Sequence, residues 1–311
     1  MAIILILLIA FVSLLFFTSL YFFKFAVCRK SFGTRKQIGE QTNFTREQNL
    51  IFSKGIEWFF QKADTKRLQF TNALGETYYA DLIPNGNSKK YIILVHGYRA
   101  SALKNFAPIL EKYYNMGFSI LMPELPAHGQ SYGKYITFGH DESSIMLAWA
   151  NWLILRLGPD ISIVYNGVSM GAATVTMLSG KQLPKSVKGI IADCGYTSAI
   201  DIFKYILKKD FDLPAFPIIN IANVIAYVLA NFSFRECSPI EAVKNATVPM
   251  LFFHGKEDKF VPYQMSIDVY SACTSEVKDL VLIEGAGHCM SYLVDTKTCD
   301  EKIEEFLNKI L

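Results

Sequence analysis

The chain has 311 residues, of which 51% are apolar and 19% charged, with a formal net charge of +3. That is too apolar and too weakly charged for a disordered protein, and it allows one large α/β domain or two smaller ones. The basic excess sits just after the first apolar segment. No basic stripe of the kind nucleic-acid binders carry follows it, so a nucleic-acid partner is not expected.

Residues 1–23 carry no charged side chain and are followed by Lys24, Arg29 and Lys30. About 20 apolar residues are enough to cross the hydrocarbon core as a helix. A cleaved signal peptide would want a basic start, a shorter apolar core and small residues at its end. Here no Lys or Arg precedes the run, and Tyr21, Phe22 and Phe25 occupy its end. The expectation is an uncleaved anchor over 1–27 and a single-pass membrane protein. Lys24, Arg29, Lys30, Arg35 and Lys36 all follow the apolar run, which is expected to place the C-terminal side in the cytoplasm. The sequons at Asn43, Asn231 and Asn245 are too common by chance to overturn this.

Residues 28–66 read as a linker with a short amphipathic stretch, in which Trp58, Phe59 and Phe60 are expected to pack on the body. From residue 67 to 311 the pattern is that of one domain. Runs at 68–71 and 77–83, separated by a turn-like stretch, read as a hairpin. The apolar runs at 91–95, 118–122, 161–165, 189–192, 250–253 and 280–283 are expected as strands buried on both faces. Helical patterns at 102–116, 141–156, 170–179, 261–273 and 298–310 alternate with them. The fold class is therefore α/β, a doubly wound, mostly parallel sheet with helices on both faces. One stretch breaks the alternation. Residues 198–232 hold two helical patterns, at 202–208 and 218–230, split by Pro214 and Pro217. This is expected to be a small helical cap over the ligand-binding edge of the sheet.

The strand at 161–165 leads into Gly167-Val168-Ser169-Met170-Gly171 and then a run of small residues. A Gly-x-Ser-x-Gly between strand and helix forces a tight turn that holds a nucleophilic serine above the sheet. A serine hydroxyl needs a neighbouring base to take its proton. Five histidines are available. His288, in the loop after the last strand, can reach back over the sheet centre and is the expected base. The carboxylate that orients the base should follow the preceding strand, where Glu257 and Asp258 both stand; Asp258 is the choice. The expected oxyanion donors are the backbone N–H groups of Met170, next after the nucleophile, and Tyr98, in the loop after the 91–95 strand. His140, Asp141 and Glu142 lack a second ligand cluster, so no metal site is expected. The six cysteines are widely and irregularly spaced, which argues for free thiols.

With YIILVHGY, LPAHGQSYG, GVSMG, IIADCGYTS, SPIEAV, VPMLFFHGKEDKFVP and EGAGH in this order, the chain resembles the α/β-hydrolase family. It is most similar to bacterial membrane-tethered hydrolases of the esterase, lipase and serine-peptidase-like branch. The resemblance implies Ser169, Asp258 and His288 as the catalytic triad and Tyr98 and Met170 as the oxyanion hole. It also implies a serine hydrolase of hydrophobic small-molecule esters or similar acyl compounds that needs no cofactor. An amidase or peptidase with the same triad is the rival enzyme reading, and a non-catalytic binding protein on the same fold is the rival outside enzymes. The apolar cap suggests acyl substrates, with Ile225 and Val228 expected to set chain-length preference.

Overall fold

The computed structural model describes residues 1–29 and 44–311. Of the sequence expectations, those on Lys30, Arg35, Lys36 and Asn43 lie outside the described residues. Helix α1 (Ala2–Val27) is apolar around its whole circumference. It is the one helix among the described residues that is long and apolar enough to cross a membrane. Helix α2 (Arg46–Lys62) comes next. The body follows as β1 (Lys66–Thr71), β2 (Thr77–Ile83), β3 (Lys90–Val95), α3 (Ala102–Asn115), β4 (Phe118–Pro123), α4 (His140–Leu157), β5 (Ser162–Val168), α5 (Met170–Ser179) and β6 (Val187–Asp193). Then come α6 (Ala199–Phe211), α7 (Ile218–Ala230), the single turn α8 (Pro239–Ala242), β7 (Met250–Gly255), α9 (Gln264–Ala272), β8 (Lys278–Ile283), the short α10 (Ser291–Val294) and α11 (Thr296–Ile310).

Among the described residues eight strands form one sheet in the order β1-β2-β4-β3-β5-β6-β7-β8. The strands from β4 to β8 pair in parallel, while β2 joins the hairpin to β4 antiparallel. The sheet is the mostly parallel one expected from the strand–helix alternation. Its strands face two cores. Ile93 and Val95 of β3 enter one, with residues of α4, α5, α6 and α7. Ile92 and Leu94 enter the other, with α3 and α11. Alternate residues of a strand point to opposite faces, so a strand covered on both must be apolar throughout. Parallel strands also bring all their C-terminal ends to one edge, and the loops there carry the site.

Two sequence expectations need correction. Residues 46–62, assigned to a linker over 28–66, form α2, which opens with a reciprocal capping box between Thr45 and Gln48. It crosses α3 so closely that a Cβ on Gly55 would stand 1.9 Å from the Ala107 carbonyl oxygen. Trp58 and Phe59 pack on the body, but Phe60 is exposed. The helix expected over 261–273 begins only at Gln264. The Asp258 carboxylate accepts the N–H groups of Phe260 and Val261 and holds that stretch in a turn.

Candidate active site

The turn between β5 and α5 explains its own sequence. Ser169 has φ 57° and ψ −119°, a strained region for a residue with a side chain. Its neighbours two positions away must be glycine. A Cβ on Gly167 would lie 2.3 Å from the Gly171 carbonyl oxygen, and one on Gly171 only 1.9 Å from that of Val95. The Ser169 N–H donates to the Asp193 carbonyl at 2.8 Å, which ties the turn to β6.

Three residues from separate loops meet here. The Ser169 Oγ lies 2.8 Å from His288 Nε2, and His288 Nδ1 lies 2.6 Å from Asp258 Oδ2. Asp258 follows β7, and its side chain is fully buried. Its Oδ1 accepts the Phe260 and Val261 N–H groups at 2.8 Å each. Its Oδ2 also accepts from His254 Nε2 at 3.1 Å. Glu257, the other carboxylate the sequence offers, is exposed. His254 instead braces Asp258: its Nε2 also reaches the Val261 carbonyl, and its Nδ1 meets the Ser266 hydroxyl.

Burial disfavours the Asp258 anion, but His288 and His254 outweigh it and hold the carboxyl well below the usual range. Burial likewise lowers His288, yet Cys194 and Asp258 raise it well above its ordinary value. Burial pushes the Cys194 thiol up, so that thiol is neutral near pH 7 and Asp258 is the cause that counts. Cys194, His288 and Cys289 bring three metal-type donors within 4.8 Å of one another. Both His288 nitrogens are already engaged, so the ring has none left to ligate. The six cysteines, all among the described residues, are unbridged.

The loop after β3 runs against the serine. A Cβ on Gly97 would stand 3.3 Å from Ser169 Cβ, and the Gly97 N–H is held by Asn105 Oδ1 at 2.9 Å. Neither the Tyr98 nor the Met170 N–H finds a protein acceptor among the described residues. His96 and His128 fasten this loop to the 124–129 segment. His96 accepts the Leu125 N–H on Nε2, and His128 accepts the Arg99 N–H. Each also reaches a carbonyl through Nδ1. Burial lowers their pKa values to about 4 and about 3, so both rings are neutral.

Two cavities lie on either side of Tyr98 and Phe260, near Ser169. One of about 380 Å³ has Ser169 and His288 in its wall, with polar groups such as Lys104, Asn105 and Ser291. The other, about 110 Å³, lies under α6 and α7 and carries no charged side chain in its lining. Tyr98 and Phe260 line both. The α7 wall of the smaller cavity is Ile218, Ile219 and Ala222. Val228, expected to face substrate, is 71% exposed, and Ile225 is buried elsewhere in the core. Sequence reasoning also missed Phe260, which packs on the His288 ring with centroids 4.9 Å apart. It missed Phe138, stacked on Tyr98 at 5.7 Å, as well. Their signal was present in the HGKEDKF and YITFG stretches, as aromatics beside residues of the site. Glu142, weighed above only as a metal ligand, accepts from Thr137 N–H, Thr137 Oγ1 and Gly139 N–H, and so fixes the loop that carries Phe138.

Residues 90–215 match the family model described as alpha/beta hydrolase fold, and residues 235–292 match the one described as serine aminopeptidase, S33. Among curated proteins the chain is 27% identical over 219 residues to the uncharacterized protein YqkD of Bacillus subtilis (strain 168), covering 70% of this chain and 71% of that one. It is 24% identical over 259 residues to the thermostable monoacylglycerol lipase of Bacillus sp. (strain H-257), covering 75% and 94%. Among solved structures it is similar to the Pyrococcus furiosus esterase Pf2001, with TM-score 0.65 and 20% identity over 80% of this chain and 92% of the other. It is also similar to Est1E of Butyrivibrio proteoclasticus, solved with ferulic acid, with TM-score 0.60 and 19% identity over 78% and 98%. Both family models, matched in chain order over this sheet, support a place in the α/β-hydrolase family, and the chain has the α/β-hydrolase fold.

Proposed function

We propose that the chain is a membrane-anchored serine hydrolase that cleaves a carboxylic ester of a hydrophobic acyl group. The observation that carries this reading is the unbroken chain of hydrogen bonds Ser169–His288–Asp258, at 2.8 and 2.6 Å. Ser169 Oγ attacks the acyl carbon while His288 Nε2 takes its proton. The charge that develops on the carbonyl oxygen is met by the Tyr98 and Met170 N–H groups. The C–O bond to the alcohol then breaks, His288 returns the proton to the leaving oxygen, and an acyl-enzyme remains. Water attacks that ester by the same steps, releasing the acid and restoring Ser169. Every step draws on protein groups and water, so the route needs no metal or organic cofactor. The likeness to a monoacylglycerol lipase and an esterase supports ester substrates. The serine aminopeptidase model matched at 235–292 favours an amidase as the second reading. Matched ester and amide substrates separate the two.

For the membrane, the support is α1 itself, 26 residues long with a mean hydropathy of 2.9 over its most apolar stretch. Lys24 and Arg29 follow the apolar run, which favours a cytoplasmic body. Ser19, Phe23 and Val27 are buried against the body, so cleavage as a signal peptide would strip part of a packed core.

The test is covalent labelling by a fluorophosphonate in membrane fractions. Wild type should label, Ser169→Ala should not, and His288→Ala should label at least about a hundredfold more slowly. Folded wild type that resists the probe would leave only the binding-protein reading.

A further inference from the structure

The C-terminal end of α1 does more than leave the membrane. The last carbonyls of a helix have no intrahelical partner and carry partial negative charge. Here they are capped by the loop that presents the Tyr98 N–H. The Tyr98 hydroxyl donates to the Ala26 carbonyl at 2.8 Å. Arg99 Nη2 donates to the carbonyls of Phe25 at 2.7 Å and Cys28 at 3.0 Å. The chain then continues in register with the body, the Ile136 N–H donating to the Val27 carbonyl and the Arg29 N–H to that of Lys134.

The same turn supplies Phe22, Phe25 and Ala26 to the wall of the small apolar cavity, facing Phe203 of α6 and Ala222 of α7. That cavity reaches Tyr98 and Met170, the residues on either side of the space where the carbonyl oxygen of a substrate would lie. The larger, more polar cavity approaches Ser169 from the other side. A bond broken at Ser169 therefore has a wholly uncharged recess near one end, and near the other a larger one in which Lys104, Asn105 and Ser291 stand among apolar side chains.

Depth favours a lipid. Ser19 is the first buried residue of α1. Residues 2–18, which precede it, span about 26 Å at about 1.5 Å per residue. The hydrocarbon core needs about 30 Å, so the last few ångströms are shared with α7, which packs along α1. The outward face of α7 fits that position, because Val224, Tyr227, Val228 and Leu229 are all more than half exposed. The cavity walled by the last turn of α1 and by α7 thus lies at the level of the leaflet surface.

We propose that the last turn of α1 is part of the substrate site: with α6 and α7 it walls an acyl-chain pocket that receives the tail of a lipid ester drawn from the bilayer. This rests on the reading of Ser169 as the acyl-forming nucleophile and names the substrate class of that site. The alcohol portion lies in the larger cavity.

The tests use the full chain in detergent or vesicles. A dodecyl fluorophosphonate bearing a diazirine near the end of its tail is first bonded to wild type and then irradiated. Cross-links in the peptide holding Phe22 and Ala26, or in α6 or α7, are expected. Cross-links confined to α3, α10 or α11 would overturn the pocket. Failure of wild type to react would instead sink the serine reading, and this proposal with it. A second readout is the ratio of kcat/KM for decanoyl over acetyl esters. Burial of each methylene is worth about fourfold. Filling the pocket by Ala222→Trp from α7, or by Ala26→Phe from α1, should therefore lower the ratio at least about tenfold. An unchanged ratio in both variants refutes the pocket, and an unchanged ratio in Ala26→Phe alone refutes the part assigned to α1. Val228→Trp in vesicles of brominated-chain phosphatidylcholine should fluoresce less than in unbrominated vesicles. Equal fluorescence rules out entry from the bilayer.

Discussion

At the scale of single residues, Asp258 and His288 are set against each other by their surroundings. The carboxylate holds four hydrogen bonds and raises the imidazole above its ordinary value. In the proposed reaction His288 is the general base and works only when neutral, so activity should rise with pH through a midpoint above about 6.5, the unperturbed value. Asp258→Asn removes the negative partner. It should lower kcat by about 10³- to 10⁴-fold and move that midpoint downwards. A pH–rate profile of kcat/KM checks both, and a midpoint that stays put would mean another group sets it. His96 and His128 behave in the opposite sense. Both are neutral when folded, with pKa values lowered by burial to about 4 and about 3. Below about pH 6.5 the unfolded chain takes up protons that the folded one refuses, so stability falls as pH falls. Each histidine contributes about 1.4 kcal/mol per pH unit until the folded pKa is reached. Melting temperatures between pH 7 and 5 should therefore decline, and His128→Asn should decline less steeply. From sequence all five histidines competed for the role of base. For four of them, bonding partners separate the ring held between Ser169 and Asp258 from two loop staples and a brace.

At the scale of elements, the strand–turn–helix around Ser169 carries its own instructions. Gly171→Ala sets a Cβ 1.9 Å from the Val95 carbonyl oxygen, an atom of the central sheet that cannot step aside. It should destabilise the fold by at least about 2 kcal/mol, read as a lower melting temperature of purified protein. A melting point equal to wild type would show that the turn has slack. This element was legible because its requirements lie within five consecutive residues. Helix α2 was read only as a short amphipathic stretch inside a linker, although Thr45 and Gln48 form the S/T-x-x-Q signature of a helix start. Its apolar residues pack partly on α3 and leave Leu50 and Phe60 exposed, which blurs the helical period. The late start of α9 had a local signal that went unused, since the bonds that hold 258–261 in a turn come from the Asp258 side chain two and three residues away, and Val261 precedes Pro262.

At the scale of the whole molecule, a 26-residue apolar helix is joined to a body of which it forms a packed part. If α1 spans the membrane, alkaline carbonate should leave the protein in the pellet and only detergent should release it. Protease added outside intact spheroplasts should spare the body. Release by carbonate would contradict the anchor, and digestion of the body would reverse the orientation. Composition, the alternation of strand and helix patterns, and the order of short motifs were enough by themselves to determine the α/β class, the mostly parallel sheet and the apolar helix at residues 2–27. Each of these is written in periodicities and turn chemistry spanning a few to a few tens of residues. Only the tertiary structure decided which carboxylate faces His288, which side of α7 lines a cavity, and that the end of α1 abuts the Tyr98 loop. Those depend on contacts such as Tyr98 with Ala26, 72 positions apart, and a pairing across that distance leaves no pattern in the residues around either partner.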